Sequence, residues 1–263
     1  MRALMLASTL LALTILSLRE PTQLDVRHDT MRSDMRSDVG QVPCPSGGGP
    51  EMTRLPEGFC IDVTEVTRAQ YRAWLDTNPS TTGQVDACAG NDDFTPTCDW
   101  GRDEDFPVVC VDWCDAKAYC EGVGKRLCGA IGGGPYDVDQ FDDAGVSEWF
   151  AACSSGGMHE YTWGDELSTT TCRGADAEDY TTWGLAAAGS FADCRSPIAE
   201  YSDVLDLSGH VAEWDDACND EGCRIRGGSY QHHAHGLRCA MGTRLYWPRE
   251  RTVSAVGIRC CAD

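Results

Sequence analysis

Sixteen cysteines in a chain of 263 residues are the feature that most constrains the fold. In the cytosol these thiols would stay reduced, whereas an even number of cysteines in an oxidising compartment forms disulfides. A zinc-binding chain would show paired C-x2-C knuckles, and this sequence has none. The cysteines therefore predict a disulfide framework, which can stabilise a domain that has little regular structure.

The N-terminal residues indicate the compartment. Arg2 is followed by an uncharged apolar run over residues 3–18, which Arg19 and Glu20 close. A basic start and a short apolar core are typical of a secretory signal peptide, and the run is slightly short for a membrane-spanning helix of about 20 residues. We expect residues 1–18 to be a signal peptide, or an uncleaved N-terminal anchor, and the protein to be secreted, periplasmic or anchored outside the cytoplasm.

The charge and composition divide the rest of the chain. Residues 19–50 are polar, with a tandem MRSD repeat and a run of three glycines, and are predicted to be a flexible linker before one domain over residues 51–263. The formal charge is −21, and five basic and five acidic side chains cancel in residues 1–50. The excess on the domain argues against nucleic acid as a partner and against membrane contact beyond an N-terminal anchor.

Few segments show a clear secondary-structure signal. Thr67 and Gln70 form a capping-box pair, a second helix is predicted near Asp112 with Asp115 in its first turn, and a third fits residues 147–153. The strand candidates are residues 59–63, 108–111, 224–226 and 257–260. Long turn-rich stretches separate these elements, so we predict an irregular, disulfide-rich α+β domain.

Eight segments follow one another in a recognisable order: residues 62–71 (DVTEVTRAQY), 106–113 (FPVVCVDW), 115–127 (DAKAYCEGVGKRL), 148–149 (EW), 161–165 (YTWGD), 206–214 (DLSGHVAEW), 226–230 (RGGSY) and 257–260 (GIRC). Together they resemble the formylglycine-generating enzyme family, also called sulfatase-modifying-factor domains, over about residues 58–263. The resemblance implies a variant of the C-type lectin-like fold. In the founding enzymes of the family, a copper-dependent site uses oxygen to convert a sulfatase cysteine to formylglycine.

The resemblance also implies two disulfides, Cys120–Cys260 and Cys153–Cys239. Proximity in the sequence suggests three more, Cys88–Cys98, Cys172–Cys194 and Cys218–Cys223. The partners of the remaining six are left open: Cys44, Cys60, Cys110, Cys114, Cys128 and Cys261. We expect at least seven of the eight bridges and no free thiol pair.

The segment that matches the family's catalytic loop departs from its pattern. In the enzymes, GGSY is followed by x-Cys-His and then a second cysteine, and the two soft thiolates bind Cu(I). Here His232 stands at the first cysteine's position and His233 matches the next histidine, while the stretch before Cys239 is about three residues shorter and lacks the second cysteine. The copper dithiolate site is therefore predicted to be absent. Ser229 and Trp214 match family residues at the oxygen and substrate end of the site, so the pocket is expected to persist.

Two further segments contain candidate metal ligands. His232, His233 and His235 offer imidazoles that suit copper, zinc or iron, although polar loop residues or hydrogen-bonded pocket histidines are the simpler interpretation. Family members also bind calcium through a GNxxEW loop. Here residues 209–214 read GHVAEW, so Glu213 is retained while His210 replaces an oxygen donor with nitrogen, which Ca²⁺ disfavours.

Relative to the family, the chain contains an acidic insertion with Asp137, Asp139, Asp142 and Asp143. The insertion is interpreted as a solvated loop, with calcium binding as the alternative.

The leading functional hypothesis is an exported binding or scaffold module for a protein or peptide ligand, because a fold does not by itself determine its chemistry. The alternatives are a metal-dependent oxidoreductase that uses the three histidines beside Ser229 and Trp214, and an authentic formylglycine-generating oxidase.

Overall fold

The computed structural model describes residues 43–98, 101, 103–176, 184–241 and 246–263. These residues form two four-stranded β-sheets. In chain order the strands are β1 (Met52–Arg54), β2 (Cys60–Asp62), β3 (Arg126–Leu127), β4 (Ala212–Asn219), β5 (Gly222–Arg226), β6 (Tyr246–Trp247), β7 (Val256–Gly257) and β8 (Cys260–Ala262). The first sheet has the order β1-β2-β8-β3 and the second the order β6-β5-β4-β7. Only the β4–β7 pair among these described strands is parallel.

Three α-helices lie between the strands: α1 (Arg68–Leu75), α2 (Trp113–Gly122) and α3 (Glu148–Ser154). Both predicted N-terminal caps are confirmed, since Thr67 with Gln70 and Asp112 with Asp115 each form a complete capping box. The third helix is capped by the Ser147 side chain, which accepts a hydrogen bond from the Phe150 amide.

The strand predictions are partly wrong, and the backbone shows why. Residues 257–260 do not form one strand, because β7 pairs in the second sheet and β8 in the first. Residues 108–111 form no strand, since Cys110 takes the left-handed conformation with φ of 60° and interrupts the extended backbone. Strand β4 was not predicted, because its adjacent acids Asp215 and Asp216 gave no strand signal.

Aromatic side chains join the helices to the rest of the core. The rings of Tyr71 and Trp74 on α1 and Tyr119 on α2 lie with their centroids 5.2–5.5 Å apart. Trp149 on α3 is fully buried in a second cluster that includes Phe59 and Leu207. These clusters place α1, α2 and α3 against the strands, and the resulting fold is the irregular α+β, disulfide-rich architecture that the sequence predicts.

All sixteen cysteines lie in the described residues and form eight disulfides: Cys44–Cys60, Cys88–Cys114, Cys98–Cys110, Cys120–Cys260, Cys128–Cys261, Cys153–Cys239, Cys172–Cys194 and Cys218–Cys223. Both bridges implied by the family resemblance are present. The pairing of Cys88 with Cys98 is wrong. Cys88 ends a short 3₁₀ helix, Asp86–Cys88, and bonds to Cys114 in the first turn of α2.

The domain begins earlier than the sequence suggests. Residues 43–50, assigned above to the linker, belong to the same compact unit as the remainder up to Asp263. Cys44 is bonded to Cys60 of β2, and the buried Lys125 ammonium donates to the Pro50 carbonyl oxygen at 2.7 Å. The predicted signal peptide or anchor and residues 19–42 of the linker lie outside the described residues. Among the described helices, none combines the length and apolar character needed to cross a bilayer.

Candidate functional site

A glycine turn leads from β5 into the segment that corresponds to the family's catalytic loop. Gly227 and Gly228 have φ values of 83° and 67°. A Cβ atom on Gly227 would lie 2.5 Å from the Leu207 carbonyl oxygen, and one on Gly228 would lie 2.3 Å from that of Gly236. Both the left-handed backbone and this close approach require glycine, and they place Ser229 directly after the strand.

His232, which the resemblance matches to the first copper cysteine, folds back onto Ser229. Its Nδ1 atom lies 3.0 Å from Ser229 Oγ and accepts the Ser229 N–H at 3.1 Å. Partial burial lowers the pKa of His232, so the ring is neutral at pH 7 and Nδ1 keeps its lone pair for these contacts. The imidazole thus closes the turn that carries Ser229.

The other two histidines of this segment point elsewhere. His233 Nδ1 lies 2.6 Å from Asp176 Oδ1, its side chain is 79% exposed, and this hydrogen bond lowers the pKa of Asp176. His235 is exposed on the 3₁₀ helix Ala234–Leu237. Among the described residues, the sets of three ligand atoms close enough to share an ion do not include these histidines. The structure therefore does not assemble His232, His233 and His235 into a metal site.

No thiolate is present for copper. Cys239, the nearest cysteine after the GGSY turn, is bonded to Cys153, and every other cysteine is also paired. Because Cu(I) in this family is held by two thiolates, the residues present do not fit it.

The two residues expected to line a persisting pocket are buried. Trp214 on β4 is 0% exposed and its indole N–H donates to the Val111 carbonyl oxygen at 3.1 Å. Ser229 is 1% exposed. Both side chains are buried and hydrogen-bonded within the protein, and their part in a pocket stays a prediction.

Glu213 does not offer a calcium ligand. Its carboxylate accepts the Trp149 indole N–H at 2.6 Å and the Arg259 Nε–H at 2.9 and 3.0 Å. Both oxygen atoms are therefore already bound inside the core, and the buried guanidinium supplies the positive charge that an ion would bring. A calcium ion held by Glu213, the less favoured interpretation of this loop, does not fit this arrangement.

A cluster that the sequence interpretation missed surrounds His210. His210 Nδ1 lies 2.8 Å from Glu65 Oε1 and 3.9 Å from Asp206 Oδ2, and all three side chains are fully buried. Burial, together with the neighbouring Glu65 charge, raises the pKa of Asp206 to about 7. The signal was present in the sequence, since His210 is the residue that departs from the family's GNxxEW loop, but its partners are brought from distant segments by the fold.

The acidic insertion is exposed at all four aspartates, as expected for a solvated loop. Asp137 caps the short 3₁₀ helix Val138–Gln140 by accepting the Asp139 N–H, and Asp143 accepts the Gly145 N–H. These local hydrogen bonds shape the turns of the insertion.

Comparison with known proteins identifies the family of this chain. Residues 29–263 match the model of the sulfatase-modifying factor enzyme 1-like domain, and the chain belongs to this family. None of the curated proteins compared with the chain matches it significantly.

Solved structures are similar to this chain at low sequence identity. PvdO from Pseudomonas aeruginosa is 20% identical over 77% of this chain and 79% of that protein, with a TM-score of 0.50. CarF is 18% identical over 78% and 85%, with a TM-score of 0.48, and Treponema denticola variable protein 1 is 16% identical over 78% and 84%, with a TM-score of 0.49. At 20% identity, the likeness to PvdO concerns the fold and not the chemistry.

Proposed function

We propose that this domain is an exported binding or scaffold module of the sulfatase-modifying-factor family that has lost the copper dithiolate oxidase site. The observation that carries the proposal is the pairing of every cysteine into eight disulfides. An oxidase of the family needs two thiolates on its metal, and this chain has none to offer.

The geometry of the GGSY turn supports the same proposal. His232 replaces the first thiolate and uses its ring nitrogen to hold Ser229, while Trp214 is sealed into the core. Residues that serve reactants in the founding enzymes are hydrogen-bonded here to their own chain. The fold is kept, and its surface is left as the feature through which a protein or peptide ligand would bind.

The disulfides also support the proposed location outside the cytoplasm. Eight bridges in one domain form and persist in oxidising compartments, and the apolar residues 3–18 supply a segment of the kind that directs export. The charge of −21 favours partners with basic surfaces over nucleic acid or anionic lipid.

A metal-dependent oxidoreductase built on the three histidines is the weaker proposal. It would need His232, His233 and His235 to turn towards one another, which would break the contacts to Ser229 and Asp176. Nothing in the described residues favours that rearrangement, so the binding module is preferred.

Thiol counting with a copper titration tests the proposal. Native protein that has never been refolded is alkylated without reductant and weighed, and its affinity for Cu(I) is measured against a competing chelator. We expect less than one alkylated thiol per chain and no dithiolate-type Cu(I) binding. A Cys218→Ser variant, which frees Cys223, is the positive control for detection. Two alkylated thiols in the native protein, with tight Cu(I) binding, would contradict the proposal.

A further inference from the structure

We infer that Glu65, Asp206 and His210 form a buried structural site for one divalent transition metal ion such as Zn²⁺. The inference does not depend on the proposed function, because the three side chains are fully buried and have no open side towards a ligand. The site shares His210 with the GHVAEW segment but takes its carboxylates from Glu65 and Asp206 and not from Glu213, and it does not include the histidines after the GGSY turn.

The ligand set suits such an ion. One ligand atom from each of the three side chains lies within 4.8 Å of the other two. A nitrogen donor with two carboxylates is a set that Zn²⁺ accepts and that Ca²⁺, which prefers oxygen alone, does not. The three residues come from the segment after β2 and from the loop before β4, so an ion would tie the two sheets together at this point.

Two buried carboxylate oxygens in the cluster are available to an ion. Within the part of the chain that the structure describes, Glu65 Oε2 and Asp206 Oδ1 accept no hydrogen bond. A buried oxygen left without a partner destabilises the fold, and more so when it is charged. The second Asp206 oxygen accepts the Gly189 N–H at 2.7 Å, so the carboxylate is held in position while its other oxygen stays available.

Several buried acids surround the cluster. Glu65, Asp206 and Glu213 contribute three carboxyl groups, and Arg259 is the guanidinium that faces them. A divalent cation bound between Glu65 and Asp206 would add positive charge where these buried carboxyl groups lie close together.

The hydrogen bonds of His210 show what changes when an ion binds. The Ala186 N–H donates to His210 Nε2 at 3.1 Å, so without an ion the ring proton lies on Nδ1, facing Glu65. An ion at Nδ1 takes the place of this proton, which moves to Nε2, and the Ala186 N–H loses its acceptor. The ring nitrogens of His210 and the Ala186 amide are therefore reporters of binding.

The experiment uses the full domain, stripped with a chelator and titrated with ZnCl₂. We expect one Zn²⁺ per chain by calorimetry and elemental analysis, a rise in melting temperature, and movement of the His210 ring nitrogen and Ala186 amide signals in NMR spectra. His210→Asn, which restores the family's residue, should weaken binding more than tenfold while the protein stays folded. Glu65→Gln should do the same, which guards against a defect special to His210.

The matched control is His233→Asn, which removes an exposed histidine and should leave the affinity unchanged. Zinc binding lost in His233→Asn and kept in His210→Asn would overturn the inference in favour of the surface histidines. Absence of stoichiometric binding, with His210 signals that do not move on adding zinc, would also overturn it, because the charge of the cluster would then be balanced by protons.

Discussion

Two regions of this chain that match family segments differ in how their side chains are bonded to the rest of the protein. The first, which we call the C-terminal anchor, comprises residues 257–263. Its Arg259 side chain is fully buried and bonds to Glu213 and to the carbonyl oxygens of Asp62 and Leu205, and both following cysteines are crosslinked. The second, the histidine turn, comprises residues 227–239, where the His232 side chain is hydrogen-bonded to Ser229 in the same turn.

The difference indicates which positions can be substituted without loss of the fold. Arg259, Cys260 and Cys261 of the C-terminal anchor are each bonded to residues from distant segments, so their replacement removes long-range interactions. In the histidine turn the glycines are fixed by close backbone approach, whereas the His232 side chain is hydrogen-bonded to Ser229 within the turn. Residues needed only for chemistry can change while the architecture persists.

The largest expected effect comes from the bridge that holds the C-terminal anchor to α2. Removing it together with the Cys128–Cys261 bridge, which closes almost the same loop, opens separations of 140 and 133 residues, for which chain entropy gives about 5 kcal/mol. All four cysteines are changed to serine. Removing the Cys218–Cys223 bridge in the same way, with a separation of 5 residues, should cost about 2 kcal/mol. Denaturant unfolding of both variants checks this, and equal losses would contradict it.

The buried ion pair of the anchor comes next. Arg259→Met leaves Glu213 buried without its cation and should cost about 3–5 kcal/mol. Arg238 lies in the histidine turn and forms an exposed ion pair with Glu160, so Arg238→Met should cost less than about 1 kcal/mol. Thermal unfolding of the two variants measures the contrast, and a large loss in Arg238→Met alone would reverse our view of the two regions.

The pH dependence of stability reports on the buried acids beside the anchor. Burial raises the pKa of both Asp206 and Glu213 to about 7, above their ordinary values of 3.8 and 4.5. A raised carboxyl pKa gives stability that is complete below the unfolded value and is lost as pH rises through the folded value.

We therefore expect the metal-free domain to lose about 2–4 kcal/mol between pH 5 and pH 8.5. Unfolding measured across this range with a chelator present checks the direction. Asp206→Asn should flatten the curve, and Asp165→Asn, at an exposed position, should not. A stability that rises with pH in the parent protein would show that these acids are not carrying the effect.

The smallest effect is expected in the histidine turn. Ser229→Ala removes the hydroxyl that contacts His232 and accepts the Gln231 N–H, and it should cost about 1–2 kcal/mol, because the His232 nitrogen keeps the Ser229 N–H. Chemical unfolding gives the value. A loss of 3 kcal/mol or more would mean that the turn is an anchor in its own right.

The parts of the fold that the sequence predicted have local causes or match family segments. The capping pairs Thr67–Gln70 and Asp112–Asp115 act within one helical turn, so they can be recognised directly. The bridge between Cys120 and Cys260 followed from the resemblance.

The remainder depended on long-range contacts. The partner of Cys88 could not be found from proximity, because the 3₁₀ helix that ends at Cys88 brings its side chain next to Cys114 of α2. Asp215 on β4 accepts hydrogen bonds from Tyr136, next to the acidic insertion, and from Arg226 on β5. The residues near Asp215 in the sequence do not indicate these partners. The same holds for His210 and Glu65, which lie 145 positions apart.

Conversion of a substrate peptide tests most directly the claim that this domain has lost the oxidase chemistry. A peptide with the sulfatase-type sequence Cys-x-Pro-x-Arg is incubated with the protein, copper and oxygen, and its mass is followed; the same assay is run on His232→Cys. We expect the cysteine to stay unconverted in both, because restoring one thiol leaves every other cysteine in a disulfide and provides no second thiolate. Clear conversion by the unmodified protein would contradict the account.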